Sequence, residues 1–301
     1  MPVAGAWEAG AVCHGSWRAC AALYGLAMLG LLTELAKAGG RIAREHFAAV
    51  KDQDITIKGS RDYVSHVDRQ VEVELVRRIR ARHPDHQILG EEASPGTVTA
   101  AEWEPHRPLW ILDPIDGTTN FIHGIPTFAL SIAYVEAGQP RFAAVYNPIT
   151  DEMFTAERGA GVWLNGQRRY CSPCDSLGRA LVATAMPFRF PEVHDDALRV
   201  FDRVQRICDD QRRGGSAALD LAYVAVGRLD AYYELGIYPW DTAAGELLVR
   251  CGGGVATDYL GGTDDLVKRR SMVCAGTIAL HAELLREASV LAPWLERKPF
   301  A

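Results

Sequence analysis

Residues 110–121 read Trp-Ile-Leu-Asp-Pro-Ile-Asp-Gly-Thr-Thr-Asn-Phe. The apolar run 109–112 predicts a buried strand that ends at Asp113, where Pro114 stops any regular continuation. Asp116 follows three residues after Asp113. Two carboxylates crowded at a strand end repel each other unless a cation neutralises them, and Mg²⁺ prefers oxygen ligands of this kind.

The Gly-Thr-Thr sequence that follows Asp116 predicts a turn into a helix N-terminus. The backbone N–H groups of Gly117 and Thr118 are then suited to receive a phosphate, as helix N-termini are in general. The stretch therefore predicts a metal-assisted phosphate site. An acidic turn between two strands is the alternative that the stretch alone leaves open.

The composition is that of a globular protein with an acidic balance. A chain of 301 residues allows one large domain or two closely packed ones, and 48% apolar with 23% charged residues is ordinary for such a protein. The formal charge of −6 argues against nucleic acid as a main partner, because phosphate backbones bind basic faces. An acidic protein that handles phosphate needs metal ions, which agrees with the site predicted above.

The cysteines predict no disulfide framework. There are seven, an odd and scattered number, so a reducing cytoplasm is the expected location. Cys171 and Cys174 form a single CxxC pair. No second CxxC completes a zinc site, and the pair is interpreted as incidental loop cysteines.

The N-terminal region carries the least information. Residues 1–20 are expected to be a poorly ordered extension, and residues 22–50 a first long helix. The nearly unbroken apolar run 19–32 is too short for a membrane span. A signal-peptide core is the alternative, but Arg18 is the only basic residue before this run and no convincing cleavage site follows.

Strand and helix patterns divide the remaining chain into two halves that share one interface. The predicted fold class is α/β, with an α+β half at residues 21–170 and an α/β half at residues 171–301. The first half is expected to contain a helix that starts at Asp68 and ends before Pro84, and strands at 87–89, 109–112, 128–135, 141–147 and 152–156. The second half is expected to contain strands at 180–184 and 229–234, helices at 194–207, 216–226 and 242–251, and a closing strand after residue 252.

Four carboxylates stand where a predicted strand ends or a predicted helix begins: Glu91, Asp113, Asp116 and Asp241. Taken singly, Glu91 is interpreted as a loop residue and Asp241 as the N-cap of the helix 242–251. Their combination points instead to one shared site.

Three segments resemble the signatures of the inositol monophosphatase family. They are Gly90-Glu91-Glu92, the nine residues Asp113-Pro114-Ile115-Asp116-Gly117-Thr118-Thr119-Asn120-Phe121, and Trp240-Asp241-Thr242-Ala243-Ala244-Gly245. Their order and spacing match, and the likeness runs from about residue 25 to 290, closest to the bacterial branch. The resemblance implies a layered αβαβα sandwich, a homodimer, and a cytoplasmic, lithium-sensitive hydrolase of phosphoric monoesters.

The resemblance also implies a metal set of two to three Mg²⁺ ions. Glu91, Asp113 and the carbonyl of Ile115 would hold the first ion. Asp113, Asp116 and Asp241 would hold the second, and Glu91 would also help a third. This all-oxygen set suits Mg²⁺ better than zinc.

By the same resemblance, Thr118 and Asp68 relay or orient the proton of the attacking water beside Glu91, without a phospho-enzyme. Asp68 lies in Ser65-His66-Val67-Asp68, where the family usually has Thr-x-x-Asp. Serine supplies the same hydroxyl, so the assignment is kept, and a helix N-cap is its alternative.

Substrate contacts are implied mostly in the second half of the chain. Glu234 lies seven residues before Asp241 and is expected to bind substrate hydroxyls, with a strand-end glutamate as the alternative. The remaining substrate-binding residues implied are Asp116, Gly117, Thr118, Gly215, Ser216, Ala217 and Asp241.

The expected substrate is a small polyol phosphate, most simply myo-inositol 1-phosphate. Histidinol phosphate, fructose 1,6-bisphosphate and phosphoadenosine phosphate are alternatives with the same chemistry. A different class of function, a regulatory partner of the transcription machinery, is also implied by the bacterial branch. Neither a membrane nor direct nucleic-acid binding is expected.

Overall fold

The fold is described by a computed structural model that covers residues 17–49, 55–59, 62–263 and 266–297. The helices in these ranges are α1 (Trp17–His46), α2 (His66–Arg82), α3 (Thr118–Ile122), α4 (His194–Ile207), α5 (Ala217–Ala225), α6 (Pro239–Cys251) and α7 (Ile278–Ala288). The strands are β1 (Ile55–Gly59), β2 (Asp62–Ser65), β3 (Gln87–Gly90), β4 (Leu109–Asp116), β5 (Ala129–Glu136), β6 (Gln139–Asn147), β7 (Glu152–Glu157), β8 (Gly161–Leu164), β9 (Gln167–Arg169), β10 (Leu181–Thr184), β11 (Asp210–Arg212), β12 (Ala231–Leu235), β13 (Val255–Thr257) and β14 (Ser271–Ala275).

Two larger sheets organise the chain. The first has seven strands in the order β3-β4-β5-β6-β7-β8-β9; β3 and β4 are parallel, and the later pairs are antiparallel. The second has five strands in the order β11-β10-β12-β14-β13, with β10 parallel to both of its neighbours. A separate antiparallel pair joins β1 to β2.

Helices cover both faces of each larger sheet. Along β5, Leu130 and Ile132 pack into a core with α1 and α2, whereas Ala129 and Ala133 point to the opposite face and pack with α5 and α6. A strand buried on both faces is mainly apolar, so β5 does not alternate regularly between apolar and polar residues. The outer face of the second sheet packs with α4 and α7. The predicted αβαβα sandwich and α/β class are confirmed.

Strand β4 is longer than the sequence suggests. The predicted end at Asp113 is wrong, because the strand continues to Asp116. The ladder with β5 pairs Asp113 with Ser131 and Asp116 with Ala129, and its register is irregular between these two pairs. Pro114 lacks an N–H group, so the irregularity lets the strand pass a residue that cannot pair regularly.

Other element ends also differ from prediction. Helix α1 begins at Trp17, so residues 17–20 are helical and not part of an extension, whereas residues 1–16 lie outside the described ranges. Helix α2 begins at His66, not at Asp68. Helix α6 begins at Pro239, not at residue 242, because proline suits the first position of a helix.

Within the described ranges, one helix has the length and apolar composition to cross a membrane, namely Cys20–His46 of α1. Leu32 and Leu35 of this helix are fully buried and pack with α2 and the first sheet. Nearer its start, Leu26 is 69% exposed. Burial in the core therefore accounts for only part of the apolar character of α1, because Leu23 is also 61% exposed.

One cysteine departs from expectation. Cys20 is disulfide-bonded, a pairing that spacing alone does not reveal. Cys171 and Cys174 are free thiols, as are Cys208, Cys251 and Cys274. Burial raises the pKa of Cys171 to about 11, so this thiol is unreactive, in agreement with an incidental CxxC pair.

Candidate active site

The site is centred on the end of β4. The Asp113 side chain is 1% exposed, and its Oδ1 accepts a hydrogen bond of 3.0 Å from the N–H of Ile115. Asp116 ends the strand, and Gly117 follows with φ of 97°, a conformation that favours glycine. A β-carbon at Gly117 would come within 3.0 Å of the Gly215 carbonyl oxygen, so glycine is also needed for the close approach of the two halves.

Helix α3 begins directly after this glycine. Thr118 Oγ1 lies 3.1 Å from Asp68 Oδ1 and 3.1 Å from the carbonyl oxygen of Ile115. Asp68 sits in the first turn of α2 and is fully buried. The fold therefore places the predicted proton-relay pair in contact.

Residues from the second half of the chain form hydrogen bonds with Asp116. Its Oδ2 accepts hydrogen bonds from Ser216 Oγ at 2.6 Å and from the Ala218 N–H at 2.7 Å. Ser216 is also the N-cap of α5, since its side chain accepts from the N–H of Leu219. The start of α5 and the end of β4 thus form one unit.

Asp241 approaches from the first turn of α6. It is not the N-cap that the sequence suggested, because the helix starts two residues earlier; its carboxylate accepts the N–H of Tyr238 at 2.6 Å. The Ser131 hydroxyl donates to the Trp240 carbonyl at 3.0 Å and ties this turn to the first sheet. Carboxylate oxygens of Asp113, Asp116 and Asp241 all lie within 4.8 Å of one another.

Burial and mutual repulsion make this cluster costly in its ionised form. Burial, followed by the charges of Glu91, Asp116, Asp241 and Asp68, holds the pKa of Asp113 well above its usual range. Burial and then Asp241 raise the pKa of Asp116 to about 7, although the Ser216 hydroxyl and the Ala218 N–H oppose that rise. Such shifts are common at functional sites.

A cation would remove this penalty, and the donor set fits a hard one. Three buried carboxylates on two elements, β4 and α6, converge on a space that one ion can span. The half-buried Glu91 lines the same cavity, as does Ile115. The residues can therefore hold a metal ion.

The loop that carries Glu91 is held by a residue the sequence did not single out. Glu72 of α2 is fully buried and accepts the N–H groups of Glu92 at 3.0 Å and Ser94 at 2.8 Å. A β-carbon at Gly90 would come within 2.4 Å of Glu72 Oε2, so the glycine lets the loop close on this carboxylate.

A cavity of about 400 Å³ opens above the carboxylates. All the predicted site residues line it except Asp68, which reaches it through Thr118. Glu234, at the end of β12, accepts a 2.5 Å hydrogen bond from the Tyr232 hydroxyl. Burial raises the pKa of Glu234 to about 8, against the effect of that hydrogen bond.

The cavity is also lined by residues that the sequence analysis missed: His123, Ala185, Phe188, Arg189, Arg213, Asp220 and Ile237. Asp220 had a detectable signal, because it stands between Leu219 and Leu221 in an apolar helix, where a carboxylate is unexpected. Glu72 gave a similar signal on the apolar face of α2. Arg189 and Arg213 have no such signal, because the segments around them have the polarity of an ordinary surface loop.

Fold and site together define an αβαβα protein with a buried carboxylate cluster that can hold a metal ion at the floor of an open cavity. The sequence matches the inositol monophosphatase family across residues 27–291. The chain therefore belongs to the inositol monophosphatase family.

Named relatives fall into two groups. The chain is 45% identical over 228 residues to Nus factor SuhB of Vibrio cholerae, covering 76% of this chain and 83% of the relative. The crystal structure of the suhB protein of Bartonella henselae superposes with a TM-score of 0.79 at 37% identity, covering 87% of this chain and 98% of that one. An IMPase from Thermotoga maritima gives a TM-score of 0.75 at 32% identity, covering 86% of this chain and 96% of that one.

Proposed function

We propose that the protein is a Mg²⁺-dependent phosphatase that hydrolyses a small polyol phosphate, most simply myo-inositol 1-phosphate. The observation that carries this proposal is the convergence of Asp113, Asp116 and Asp241 within 4.8 Å at a cavity that Glu234 also lines. Membership of the inositol monophosphatase family supports the reaction class.

Two to three Mg²⁺ ions would be held by the oxygen atoms of five residues: Glu91, Asp113, Ile115, Asp116 and Asp241. When bound, the metal would neutralise the phosphate charge, lower the pKa of water and stabilise the departing alkoxide. The raised pKa values of Asp113 and Asp116 support this assignment, because a neighbouring cation favours the ionised form.

Thr118 and Asp68 would handle the proton of the attacking water. The Thr118 hydroxyl can accept from a water in the cavity while it donates to Asp68, which lies 3.1 Å away. Asp68 is buried behind Thr118, so it holds the hydroxyl without itself contacting the substrate. Glu91, which lines the same cavity, would help to orient this water.

The remaining predicted residues would bind the ester. The N–H groups of Gly117 and Thr118 would donate to phosphate oxygens, and Glu234 would accept hydrogen bonds from hydroxyls of the leaving alcohol. Gly215, Ser216 and Ala217 form the turn into α5 on the same wall. Asp116 and Asp241 would contact the alcohol in addition to holding metal.

A panel of phosphate esters assayed with Mg²⁺ tests the proposal. We expect myo-inositol 1-phosphate to give the highest kcat/KM, above histidinol phosphate, fructose 1,6-bisphosphate and phosphoadenosine phosphate. Equal or better turnover of histidinol phosphate would contradict the choice of substrate. Absence of turnover with every ester would contradict the phosphatase itself.

A second candidate is a regulatory partner of the transcription machinery. It is favoured by one observation, the name Nus factor SuhB carried by the curated relatives. An Asp113→Asn variant separates the two functions, because it should lose hydrolysis and keep its surface. Binding of this variant to purified transcription machinery would support the candidate, and no binding by the wild-type protein would exclude it.

Further proposals rest on family membership and the sequence. They are a homodimer, a cytoplasmic location, inhibition by lithium at the second metal position, and a division into halves at residues 21–170 and 171–301. Analytical ultracentrifugation tests the dimer. Full activity at millimolar lithium would contradict the proposed second position.

A further inference from the structure

Asp220 is a buried carboxylate on the wall of the active-site cavity. It lies in the first half of α5, where its N–H donates to the Ser216 carbonyl at 3.0 Å. Its residue is 5% exposed, and it lines the cavity together with Glu234 and Asp241. No predicted metal or substrate position includes it.

The carboxylate of Asp220 has no hydrogen-bond donor among the described residues. The neighbouring carboxylates do have donors. Asp116 accepts hydrogen bonds from Ser216 and Ala218, Asp241 accepts one from Tyr238, and Glu234 accepts one from Tyr232. The small exposed part of Asp220 faces the cavity, so a ligand that fills the cavity displaces water from this carboxylate, and the loss is costly unless the ligand donates a hydrogen bond in its place. An acceptor of this kind that lines a cavity therefore points to a donor supplied by a ligand.

The surroundings define what this donor is. The carboxylate faces the charges of Glu234 and Asp116, so a further anion would be repelled. Asp220 is not among the three carboxylates whose oxygens converge on one position, so the metal cluster does not extend to it. The alcohol of a polyol ester carries neutral hydroxyl groups, which can donate to Asp220 without adding charge to a cavity that six carboxylates and two arginines line.

We infer that Asp220 is a specificity-determining residue that, beside Glu234, accepts a hydroxyl of the leaving alcohol. The inference rests on the proposed phosphatase function and narrows its substrate class to phosphates of polyols with several hydroxyls. Two acceptors on the neighbouring elements α5 and β12 bind one such alcohol at two points. A substrate without these hydroxyls leaves Asp220 without a donor and is discriminated against.

The test compares Asp220→Ala and Asp220→Asn with the wild-type protein at saturating Mg²⁺. The substrates are myo-inositol 1-phosphate and p-nitrophenyl phosphate, whose leaving group has no further hydroxyl. Asp220→Ala should lower kcat/KM for the inositol ester by about 10- to 100-fold, mainly through KM, and change the nitrophenyl ester by less than about threefold. Asp220→Asn should recover most of the loss, because the amide oxygen still accepts a hydrogen bond.

Asp195→Ala, on the exposed face of α4, is the matched control and should change neither ester. Equal losses on both esters, or no loss, would overturn the assignment of Asp220 while leaving the phosphatase intact. A larger loss on histidinol phosphate than on the inositol ester would indicate that Asp220 binds an amine and not a hydroxyl. That result would also overturn the assignment. A wild-type protein inactive on both esters would refute the proposed function and this inference together.

Discussion

Thr118 Oγ1 lies 3.1 Å from Asp68 Oδ1, although 50 residues separate them in the chain. The same hydroxyl lies 3.1 Å from the Ile115 carbonyl oxygen, and its single proton can serve only one of these acceptors at a time. Asp68 is fully buried, so its contact with Thr118 links α2 to the floor of the cavity. This arrangement suits a hydroxyl that passes or orients a proton.

Replacing Thr118 by Ala should reduce kcat for the inositol ester by roughly 10²- to 10³-fold, the range for loss of proton-transfer assistance, with a much smaller change in KM. Thr118→Ser keeps the hydroxyl and should retain most of the activity. Steady-state kinetics at saturating Mg²⁺ distinguish the two variants. If both variants were as active as the wild-type protein, Thr118 would have no role in the reaction.

The carboxylates also predict an unusual dependence of stability on pH without metal. The pKa of Asp116 is raised from 3.8 to about 7 and that of Glu234 from 4.5 to about 8, chiefly by burial. At pH values between the unfolded and the folded pKa of each group, the folded protein therefore binds more protons than the unfolded chain. The stability that these groups contribute is complete below about pH 4 and is lost as pH rises through 7 to 8.

Magnesium should offset this loss, because a bound cation favours the ionised form of nearby buried carboxylates. We expect Tm without metal to fall between pH 6 and pH 8.5, and added Mg²⁺ to raise Tm by several degrees more at pH 8.5 than at pH 6. Differential scanning fluorimetry with NaCl at matched ionic strength provides the control. An equal Mg²⁺ effect at both pH values would contradict the proposed coupling.

Glu72 is expected to act on metal binding through the loop that it holds. Glu72→Gln replaces an acceptor by an amide that also presents N–H groups toward the N–H groups of Glu92 and Ser94. The unpaired donors should lower the free energy of unfolding by about 1–3 kcal/mol. Because Glu91 lies on this loop, the Mg²⁺ concentration for half-maximal activity should rise several-fold.

Glu74→Gln is the matched control on the same helix. Glu74 pairs with Arg77 and Arg78 near the surface, and such pairs contribute little. Urea unfolding should place it within about 0.5 kcal/mol of the wild-type protein, with unchanged Mg²⁺ dependence. If the two variants behaved alike, Glu72 would be no more than a general contributor to stability.

Sequence reasoning reached the carboxylates because each stands at a change of local structure. Asp113, Asp116 and Asp241 stand where the sequence pattern predicts that an element ends or begins, and the fold brings their oxygens within 4.8 Å of one another. The prediction failed at Pro114, because a proline was taken to end the strand. Pairing with β5 on both sides of the irregularity carries β4 through to Asp116. Such tertiary pairing is invisible in a local pattern.

Glu72 and Asp220 were missed for a different reason. Each lies inside a helix, on a face that the neighbouring apolar residues mark as core. Local pattern alone does not say whether a carboxylate there is tolerated, paired or functional. Its partner, or the lack of one, comes from elements distant in sequence. Only the assembled fold places Glu72 against the loop of Glu91 and Asp220 beside Glu234.

The central claim is that Asp113 anchors a metal-assisted phosphatase. Phosphate release from myo-inositol 1-phosphate at saturating Mg²⁺ should fall by at least about 10³-fold in Asp113→Asn, the scale of losing a principal metal ligand and its electrostatic stabilisation. Far-ultraviolet circular dichroism and Tm should remain those of a folded protein. Wild-type turnover by folded Asp113→Asn would contradict the account.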